Sequence, residues 1–343
     1  MAWNRNLGAS CAVGEQAVYS ADTSAVGAYT SGAFTAPKKG IYRFELRGSG
    51  GNSADGGTYQ MAGGQGGYTS GFLLLERGQT VYVGCGGPCS AAWAASANPG
   101  NAGVSAIAAG NLYFVAGAGG MGAACNDGVN WTGYNCHLSG GGAGGGASGQ
   151  DASQVFWNTS WLEQYGRGGT QTAGGAKGSG GGLGGTNGSY GVGGSAGGEG
   201  VDGYIFNGGR GGDGYYGGGG GIGWVTGGSG GWGGGGGGGS GYVKAASFTL
   251  YGKTYTSSTQ QGGGAGSGAN GSVTVTYYAM AELPVIFNGT RLTKLVFNGT
   301  EVSGLIYDGT RVFAQRCAAL MRLRRAAGGA MRKGWKGRMA CLM

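Results

Sequence analysis

Tracts of glycine, separated by short β-strand patterns, constrain the fold of this chain more than any other feature of the sequence. Glycine supplies 92 of the 343 residues, about four times its usual share. Collagen needs glycine at every third position and abundant proline, whereas this chain has 4 prolines and runs such as Gly233 to Gly239. Disordered chains have few aromatic and many charged residues, but here aromatic residues make up 11% and charged residues 10%. The glycine is therefore expected to be ordered.

Alternating apolar and polar residues predict a β-framework between the glycine tracts. Residues 33–47 have the clearest pattern, in which Tyr42, Phe44 and Leu46 face away from the charged residues between them. This alternation is typical of a half-buried antiparallel strand. Further strands are predicted within 71–84, 111–117, 242–251 and 272–278. The total of about six to eight strands suffices for a β-sandwich or a jelly roll.

The longest glycine tracts predict a second kind of structure. They cover residues 117–120, 140–149, 174–185, 191–200, 208–223 and 227–241. Glycine-rich chains adopt an extended helix with three residues per turn and no internal hydrogen bonds, the polyproline-II or polyglycine-II form. Buried N–H and C=O groups then need partners on neighbouring segments, so a laterally bonded bundle anchored by the β-framework is expected. The alternative is a set of floppy loops.

The excess positive charge belongs to the last part of the chain. Residues 316–343 hold eight basic and no acidic residues, which equals the formal net charge of +8. The rest is neutral, and its two Arg-Gly-Gly triplets, at Arg167 and Arg210, are too few to indicate RNA binding. Nucleic acid is therefore not expected as a partner of the main body. Residues 315–343 are interpreted as a basic tail that binds an acidic neighbour or nucleic acid, or as an extension without structure.

The cysteines predict a disulfide and no metal site. Cys125 and Cys136 bracket residues 126–135 and are placed to close that loop as a disulfide. Seven cysteines leave at least one thiol unpaired in a monomer. A zinc site takes closely grouped thiols or histidines, and His137 is the single histidine of the sequence. Neither a metal nor another cofactor is expected.

The first residues and the apolar runs of the chain bear on whether the protein is secreted or inserted into a membrane. Residues 1–6 lack the basic and apolar regions of a secretory signal. No apolar run approaches the roughly 18 to 20 residues of a membrane span, so membrane insertion is not expected. Synthesis in a host cytoplasm and release by lysis, as for a virion protein, would explain how a protein without such a signal works outside a cell.

Aromatic residues that interrupt the glycine are the candidates for recognition. Tyrosine and tryptophan offer a large rigid apolar area with a polar group, and turns between rods lie at the surface. The candidate receptor-binding residues are Trp131, Tyr134, Tyr190, Tyr204, Tyr215, Tyr216, Trp224 and Trp232. Such rings would stack on sugars or pack against a surface protein. The alternative is that they seal the glycine bundle against the β-framework.

The sequence contains no motif that predicts catalysis. Glycoside hydrolysis uses two carboxylates about 5 to 9.5 Å apart in a cleft. The acidic residues of the glycine-rich part are instead scattered, at Asp127, Asp151, Glu163, Glu199, Asp202 and Asp213. The histidine has no nucleophile at a recognisable elbow, and no complete phosphate-binding loop sequence is present. We therefore do not expect an enzyme.

Five segments together resemble a known family. They are 34–51, 63–71, 75–87, 113–120 and 271–276. In order and in their strand-to-glycine junctions they resemble the glycine-rich domain of bacteriophage tail proteins and adhesins, and more distantly the glycine-rich region of the anaplastic lymphoma kinase receptors. The resemblance implies a jelly-roll-like β-framework with a polyglycine-II bundle whose loops form a receptor-contacting tip. It implies no catalytic residues.

A ten-residue repeat follows the glycine-rich part. Its copies are 285–292, 295–302 and 305–312, each with Asn-Gly or Asp-Gly between apolar residues. These dipeptides are strong signals for two-residue hairpin turns, so three small hairpins are predicted. They resemble short repeats at the ends of phage and prophage structural proteins. A structural or oligomerising role is expected, and the alternative is a simple stabilising cap.

Taken together, the patterns predict an all-β chain of four parts. The parts are an N-terminal attachment arm over 1–32, a glycine-rich β/polyglycine-II domain over 33–280, hairpin repeats over 281–314 and a basic tail over 315–343. The predicted protein is a virion structural protein, a phage tail-fibre or tail-tip adhesin that works beside other virion proteins. Its predicted partner is a bacterial surface receptor, either a glycan or an outer surface protein. The alternatives are a non-binding spacer or a capsid or tail decoration; a secreted cellular receptor domain is disfavoured by the missing signal.

Overall fold

The computed structural model describes residues 3–4, 7–54, 59–126, 135–153, 164–180, 184–201, 204–226, 230–250 and 252–280, and short strands between 285 and 314. These residues form strands, turns and extended segments, with single-turn 3-10 helices at Gly100–Ala102, Val104–Ala106 and Ala109–Asn111. The chain divides into two compact units, Met1–Ala279 and Met280–Met343. The all-β class predicted from the sequence is confirmed.

The strands are numbered in chain order. Those that begin before residue 100 are β1 (Trp3–Asn4), β2 (Gln16–Ser20), β3 (Tyr29–Thr35), β4 (Gly40–Arg47), β5 (Tyr59–Gln60), β6 (Gly67–Leu75), β7 (Thr80–Gly86) and β8 (Ala92–Ala95). Those up to residue 280 are β9 (Leu112–Ala116), β10 (Ala124–Asn126), β11 (Asn135–Leu138), β12 (Gly198–Val201), β13 (Tyr204–Asn207), β14 (Gly223–Thr226), β15 (Gly230–Gly233), β16 (Tyr242–Val243), β17 (Ser247–Leu250), β18 (Lys253–Thr256), β19 (Ser258–Gly263) and β20 (Ser272–Met280). The last are β21 (Val285–Phe287), β22 (Thr290–Leu292), β23 (Val296–Phe297), β24 (Thr300–Glu301), β25 (Gly304–Tyr307) and β26 (Thr310–Ala314).

Two sheets form a sandwich around the main core. One has six strands in the order β1-β2-β20-β4-β6-β19, and the other has five in the order β16-β9-β8-β7-β3. Their neighbouring strands run antiparallel, as in the long pair of β4 with β6 and that of β3 with β7. The predicted alternation of β4 is confirmed, because Tyr42, Phe44 and Leu46 are fully buried while the charged residues between them are partly exposed.

Aromatic residues from both sheets fill this core. Phe34 of β3 meets the rings of Tyr42 and Phe44 edge-on, at centroid distances of 5.3 and 6.1 Å. Phe114 of β9 packs against Phe44 at 5.9 Å. Aromatic pairs at such distances contribute about 0.5 to 1.5 kcal/mol beyond the burial of their area. The two sheets are therefore joined through an aromatic core.

Residues 1–32 do not form a separate arm, and this prediction is wrong. Strand β2 pairs with β20 along its whole length inside the six-stranded sheet, and it buries Ala17 and Tyr19 in the main core. Strand β3 begins at Tyr29, so the predicted boundary cuts through a strand of the other sheet. Residues 1–32 look irregular in the sequence because they include few apolar residues. Two apolar residues at alternate positions, Ala17 and Tyr19, nevertheless suffice to bury one face of β2.

Extended glycine segments lie side by side and are joined by backbone hydrogen bonds; we call them the glycine bundle. Residues 217–222 show the arrangement most fully. Their N–H groups donate in rotation to the carbonyls of three segments, 186–189, 209–212 and 164–167. Their carbonyls accept in rotation from three others, 175–178, 194–197 and 234–237. Six segments therefore surround this one, and each partner returns after three residues.

Residues 233–240 form a second centre of the glycine bundle. Their carbonyls accept hydrogen bonds in the same rotation from the segments 209–215, 139–145 and 166–169. Their N–H groups bond mainly to the segments 216–222 and 118–121. A strand in a sheet pairs with two neighbours, whereas here the buried donors and acceptors are shared among several, which satisfies them without a sheet.

The segments lie too close together for side chains. A Cβ atom added at Gly219 would overlap the carbonyl group of Ala176, and one added at Gly221 would overlap that of Gly234. Both overlaps are with backbone atoms, which cannot rotate away as a side chain can. Glycine is therefore a packing requirement of the central segments.

The glycine bundle has two ends. One end joins the sandwich, because Gly48 follows β4, Gly67 opens β6 and Gly117 follows β9. At the opposite end, which we call the far end, the segments continue into β10 to β15. There β12-β13-β10-β5 form one sheet and β11-β15-β14 form another. Phe206, with Cys125 and Leu138, makes a small core between these two sheets.

The described residues of the second unit form three antiparallel strand pairs at ten-residue intervals. Phe287 of β21 pairs with Thr290 of β22, and the equivalent residues pair in β23–β24 and β25–β26. The predicted hairpin pairings are present, while the Asn-Gly and Asp-Gly turn residues lie outside the described part of the chain. The predicted basic tail, 315–343, also lies outside it.

Candidate functional site

Three of the predicted recognition residues have no described side chain. Trp131 and Tyr134 fall between β10 and β11, outside the described residues. Tyr204 opens β13, and its backbone alone is described. Their predicted role in binding stays a prediction. The other five predicted residues can be placed, and they occupy the two opposite ends of the glycine bundle.

Tyr190, Tyr215 and Tyr216 lie where the bundle meets the sandwich, and they cluster with Tyr242 of β16. The rings of Tyr215 and Tyr242 stack with centroids 4.3 Å apart. Tyr190 meets Tyr215 and Tyr216 edge-on at 5.6 and 5.8 Å. The Tyr190 hydroxyl also donates a 2.6 Å hydrogen bond to the carbonyl of Ile107 in the sandwich. We call these four residues the tyrosine cluster.

The tyrosine cluster serves packing at the junction. Tyr190, Tyr215 and Tyr242 rest on the buried residues around Trp93, outside the main core. Burial raises the pKa of Tyr190 to about 12, so its hydroxyl stays protonated and remains a donor. These contacts favour the sealing role that was the alternative for the aromatic residues.

Three rings form a continuous stack at the far end, which we call the ring ladder: His137, Trp232 and Trp224. The ring centroids of Trp224 and Trp232 are 5.5 Å apart, and their planes are inclined by 26°. Those of His137 and Trp232 are 6.0 Å apart, with an inclination of 20°. All three side chains are half-buried. Two of the predicted residues are thus brought together, with a histidine that was not among the predicted ones.

Strand register builds the ring ladder. Trp232 of β15 is the register partner of His137 in β11 and of Trp224 in β14, so the three residues share one face of the sheet. The alternate positions of β15 are glycines, and they face the small core. A Cβ atom at Gly231 would overlap the ring of Phe206. The sequence Gly-Trp-Gly therefore lets one face pack tightly while the other carries the ladder.

His137 is the residue that sequence reasoning missed at this site. Its proximity to Trp232 depends on a parallel pairing between strands far apart in the sequence, and nothing local signals it. Burial lowers the pKa of His137 below its usual value of 6.5. The imidazole is therefore neutral at pH 7, with one nitrogen that donates and one that accepts.

A disulfide-bonded cysteine belongs to the small core of the far end. Cys125 of β10 is disulfide-bonded and almost completely buried. Its predicted partner, Cys136 of β11, has no described side chain, so that pairing stays a prediction. The thiols of Cys11, Cys85 and Cys89 are free and buried. Burial raises the pKa of Cys85 to about 12 and that of Cys89 to about 11, so neither is a reactive thiolate.

A buried ion pair positions the glycine bundle on the sandwich. Arg210 Nη2 lies 2.7 Å from Asp213 Oδ1, and the two side chains are 21% and 4% exposed. The hydroxyl of Tyr29 in β3 donates to Oδ2 of Asp213 at 2.8 Å, and the Gly193 N–H donates to Oδ1 at 2.8 Å. Burial, and then the charge of Asp213, raises the pKa of Tyr29 well above its usual value. Tyr29 therefore stays a donor to this carboxylate.

The described carboxylates of the glycine-rich part take structural roles. Asp213 holds Arg210, and Asp151 pairs with Arg167 at 2.8 Å on the surface. The side chains of the other four acidic residues considered for catalysis lie outside the described part. Within the described residues, no group of three or more histidine, cysteine, aspartate or glutamate side chains could hold a metal ion. None of the described helices is long and apolar enough to cross a membrane.

The chain matches no protein-family model and no curated protein. At the far end, strand pairing fixes a stack of flat rings, and a small core supports it.

Proposed function

We propose that the protein is a virion structural protein, a phage tail-fibre or tail-tip adhesin that binds a bacterial surface receptor through the far end of its glycine bundle. It acts by binding alone, without catalysis. It is made in the host cytoplasm, assembles with other virion proteins and leaves the cell by lysis. In this proposal the sandwich is a jelly-roll-like framework, and the glycine segments are polyglycine-II helices.

The rotating hydrogen bonds of the bundle support the polyglycine-II assignment. A helix with three residues per turn and no internal hydrogen bonds presents successive N–H groups in three directions. Residues 217–222 donate to three segments in turn and accept from three others, and each partner returns after three residues. A sheet would give two partners in alternation, so the three-residue period favours the helical bundle.

The position of the ring ladder is the observation that carries the binding role. A bundle that served solely as a spacer would need aromatic rings only where it meets the sandwich, and the tyrosine cluster provides them there. The stack of Trp224, Trp232 and His137 lies instead at the opposite end, half-buried on strands that leave the bundle. Tryptophan is enriched among the residues that dominate binding energy at interfaces.

Rigidity of the bundle suits this role. Ordering glycine costs more backbone entropy than ordering any other residue, and the dense backbone hydrogen bonding offsets this cost during folding. The bundle therefore holds the strands of the far end in place before a receptor arrives, and a preorganised surface loses less entropy on binding. Several copies on one particle would convert weak single contacts into firm attachment.

Cell binding tests the proposal directly. Fluorescently labelled protein is applied to a panel of bacterial strains, and the bound fluorescence is measured by flow cytometry. Trp224→Ala removes one ring of the ladder. The matched control is Phe248→Ala, because Phe248 stacks on Tyr255 at 5.2 Å beside the sandwich, in a pair of similar geometry.

We expect strain-selective binding by the parent protein and by Phe248→Ala, and a loss of about tenfold in affinity for Trp224→Ala. Folded protein that binds no strain would contradict the adhesin and favour a non-binding spacer or a capsid or tail decoration. Equal binding by all three proteins would place the receptor site away from the ring ladder.

A further inference from the structure

Three outer segments bound the glycine bundle on one side, and together we call them the rim. They are residues 173–179, 185–189 and 192–197. Each of them is hydrogen-bonded to the central residues 217–222. Exposed side chains interrupt the glycine of the rim, among them those of Ala176, Lys177, Thr186, Asn187 and Ser195. The rim is therefore a boundary between the glycine bundle and the solvent.

Side-chain oxygens of the rim accept hydrogen bonds from backbone N–H groups of the rim. Oδ1 of Asn187 accepts from the N–H of Lys177 at 2.9 Å, and Oγ1 of Thr186 accepts from the N–H of Ser195 at 2.8 Å. Both hydrogen bonds lie in exposed positions. In the centre of the bundle, a carbonyl of a neighbouring segment takes this place. The two side chains therefore cap N–H groups that could otherwise bond to a further segment.

The bulk of the rim side chains is a second obstacle to a further segment. Where two segments of the bundle meet, there is no room for a Cβ atom. One added at Gly217 would overlap the carbonyl of Val192, and one added at Gly220 would overlap that of Ser195. A segment that approached Thr186 from the solvent would meet its side chain in the same way. The rim side chains therefore occupy the space that a neighbouring segment needs.

Lys177 adds a charge to the rim. It is the single charged residue of the sequence from 168 to 198, and it is exposed. Natural β-sheets place lysine on their edge strands, where the charge opposes pairing with a strand of another molecule. An ammonium group on an outer glycine segment opposes lateral contact for the same reason.

From these three features we infer that the rim prevents the glycine bundles of two copies of this chain from joining side by side. The glycine tracts are nearly alike in composition and bond through their backbones. A tract of a second copy would therefore fit an uncapped edge almost as well as a tract of the same chain. Exposed edges of β-sheets aggregate in this manner. The inference concerns contacts between copies and does not depend on receptor binding.

Glycine substitutions in the rim test the inference. A triple variant removes the charge, the caps and the bulk together: Lys177→Gly, Thr186→Gly and Asn187→Gly. The matched control also replaces one lysine and two further exposed residues, which follow β16 beside the sandwich: Lys244→Gly, Ala245→Gly and Ala246→Gly. Both variants gain three glycines, so the added backbone freedom is the same in the two.

Sedimentation velocity at increasing concentration measures the mean mass of the full chain. We expect the rim variant to rise to about twice the mass of the parent, as pairing of two copies requires, and to return to the parent's mass on dilution. The control should keep the parent's mass throughout. Equal masses for all three proteins at every concentration would overturn the inference. An equal gain in the control would also overturn it, because added glycine alone would then suffice.

A milder variant decides the capping step if the triple variant fails to fold. Thr186→Val keeps a branched side chain and removes the accepting oxygen. We expect the amide hydrogen of Ser195 to exchange with water about fivefold faster, as loss of one hydrogen bond predicts. The amide of Gly194, which donates to the carbonyl of Gly218 inside the bundle, should keep its rate. Exchange is measured by NMR, and an unchanged rate at Ser195 would overturn the capping role of Thr186 and the inference with it.

Discussion

The hydroxyl of Tyr29, in the sandwich, donates a 2.8 Å hydrogen bond to the carboxylate of Asp213, in the glycine bundle. The same carboxylate accepts from Arg210 at 2.7 Å and is almost fully buried. A charged hydrogen bond in a buried site is directional and costly to leave unpaired. The hydrogen bond between Tyr29 and Asp213 therefore fixes the glycine bundle on the sandwich at one defined place.

Replacing Asp213 by asparagine should destabilise the protein strongly. The charge of Arg210 would remain in a largely buried site without its partner, and loss of one member of a buried pair costs about 3 to 5 kcal/mol. We expect a decrease near the lower value, measured as the free energy of unfolding in urea. Asp151→Asn is the control, because the Arg167–Asp151 pair is 45% and 46% exposed and such pairs contribute about 1 kcal/mol or less. Equal losses in the two variants would contradict the role of the buried pair.

Alanine in the centre of the glycine bundle should be poorly tolerated. Gly219→Ala would place a Cβ atom against the carbonyl of Ala176, and overpacking against fixed atoms costs about 1 to 3 kcal/mol or more. Gly266→Ala is the matched control, since nothing lies within 4 Å of its added Cβ. It should be neutral or stabilising by about 0.5 kcal/mol. Thermal unfolding measures both, and similar melting temperatures for the two variants would argue against the close packing.

Local alternation made part of the β-framework predictable. Tyr42, Phe44 and Leu46 signal their strand because a half-buried strand repeats every two residues. The predicted strand 33–47 nevertheless consists of β3 and β4 in different sheets. Strand β8, with the sequence AWAA, is buried along its whole length and shows no alternation, so it was missed. The sequence 242–251 likewise divides into β16 and β17.

The neighbours within the glycine bundle could not be predicted, because the tracts are almost identical in composition. Composition indicates that the tracts bond laterally, but which segments meet depends on where each one leaves a strand. For the same reason, sequence reasoning grouped Tyr215 with Trp224, although they lie at opposite ends. Trp224 pairs with Trp232 because β14 and β15 are consecutive antiparallel strands. His137 meets Trp232 only because the tertiary fold brings β11 beside β15.

Removing residues 281–343 should leave the first unit folded. The buried core clusters lie at or before Tyr277, and the first compact unit ends at Ala279. We expect the shortened protein to unfold cooperatively at a melting temperature within a few degrees of the full chain, as measured by circular dichroism. A truncated chain that fails to fold would show that the hairpin repeats stabilise the glycine-rich unit.

Tyr215→Ala should lower stability and leave receptor binding unchanged. The ring stacks on Tyr242 and rests on the buried residues around Trp93, and truncating a half-buried aromatic side chain costs about 2 kcal/mol, less than a fully buried one. The variant is compared with the parent by urea unfolding and by cell binding under conditions where both are folded. Loss of cell binding with unchanged stability would assign the tyrosine cluster to recognition, as the sequence first suggested.

Acid should destabilise the far end through His137. Burial lowers the pKa of the folded imidazole below 6.5, whereas the unfolded chain titrates near its ordinary value of about 6.5. As the pH falls below that value, the unfolded state binds more protons than the folded state, so the free energy of unfolding decreases until the pH has passed the folded pKa. His137→Gln stays neutral and should flatten the profile of urea unfolding between about pH 5 and 6.5. Identical pH slopes for parent and variant would show that His137 titrates alike in both states, and that the ring ladder does not hold it in its neutral form.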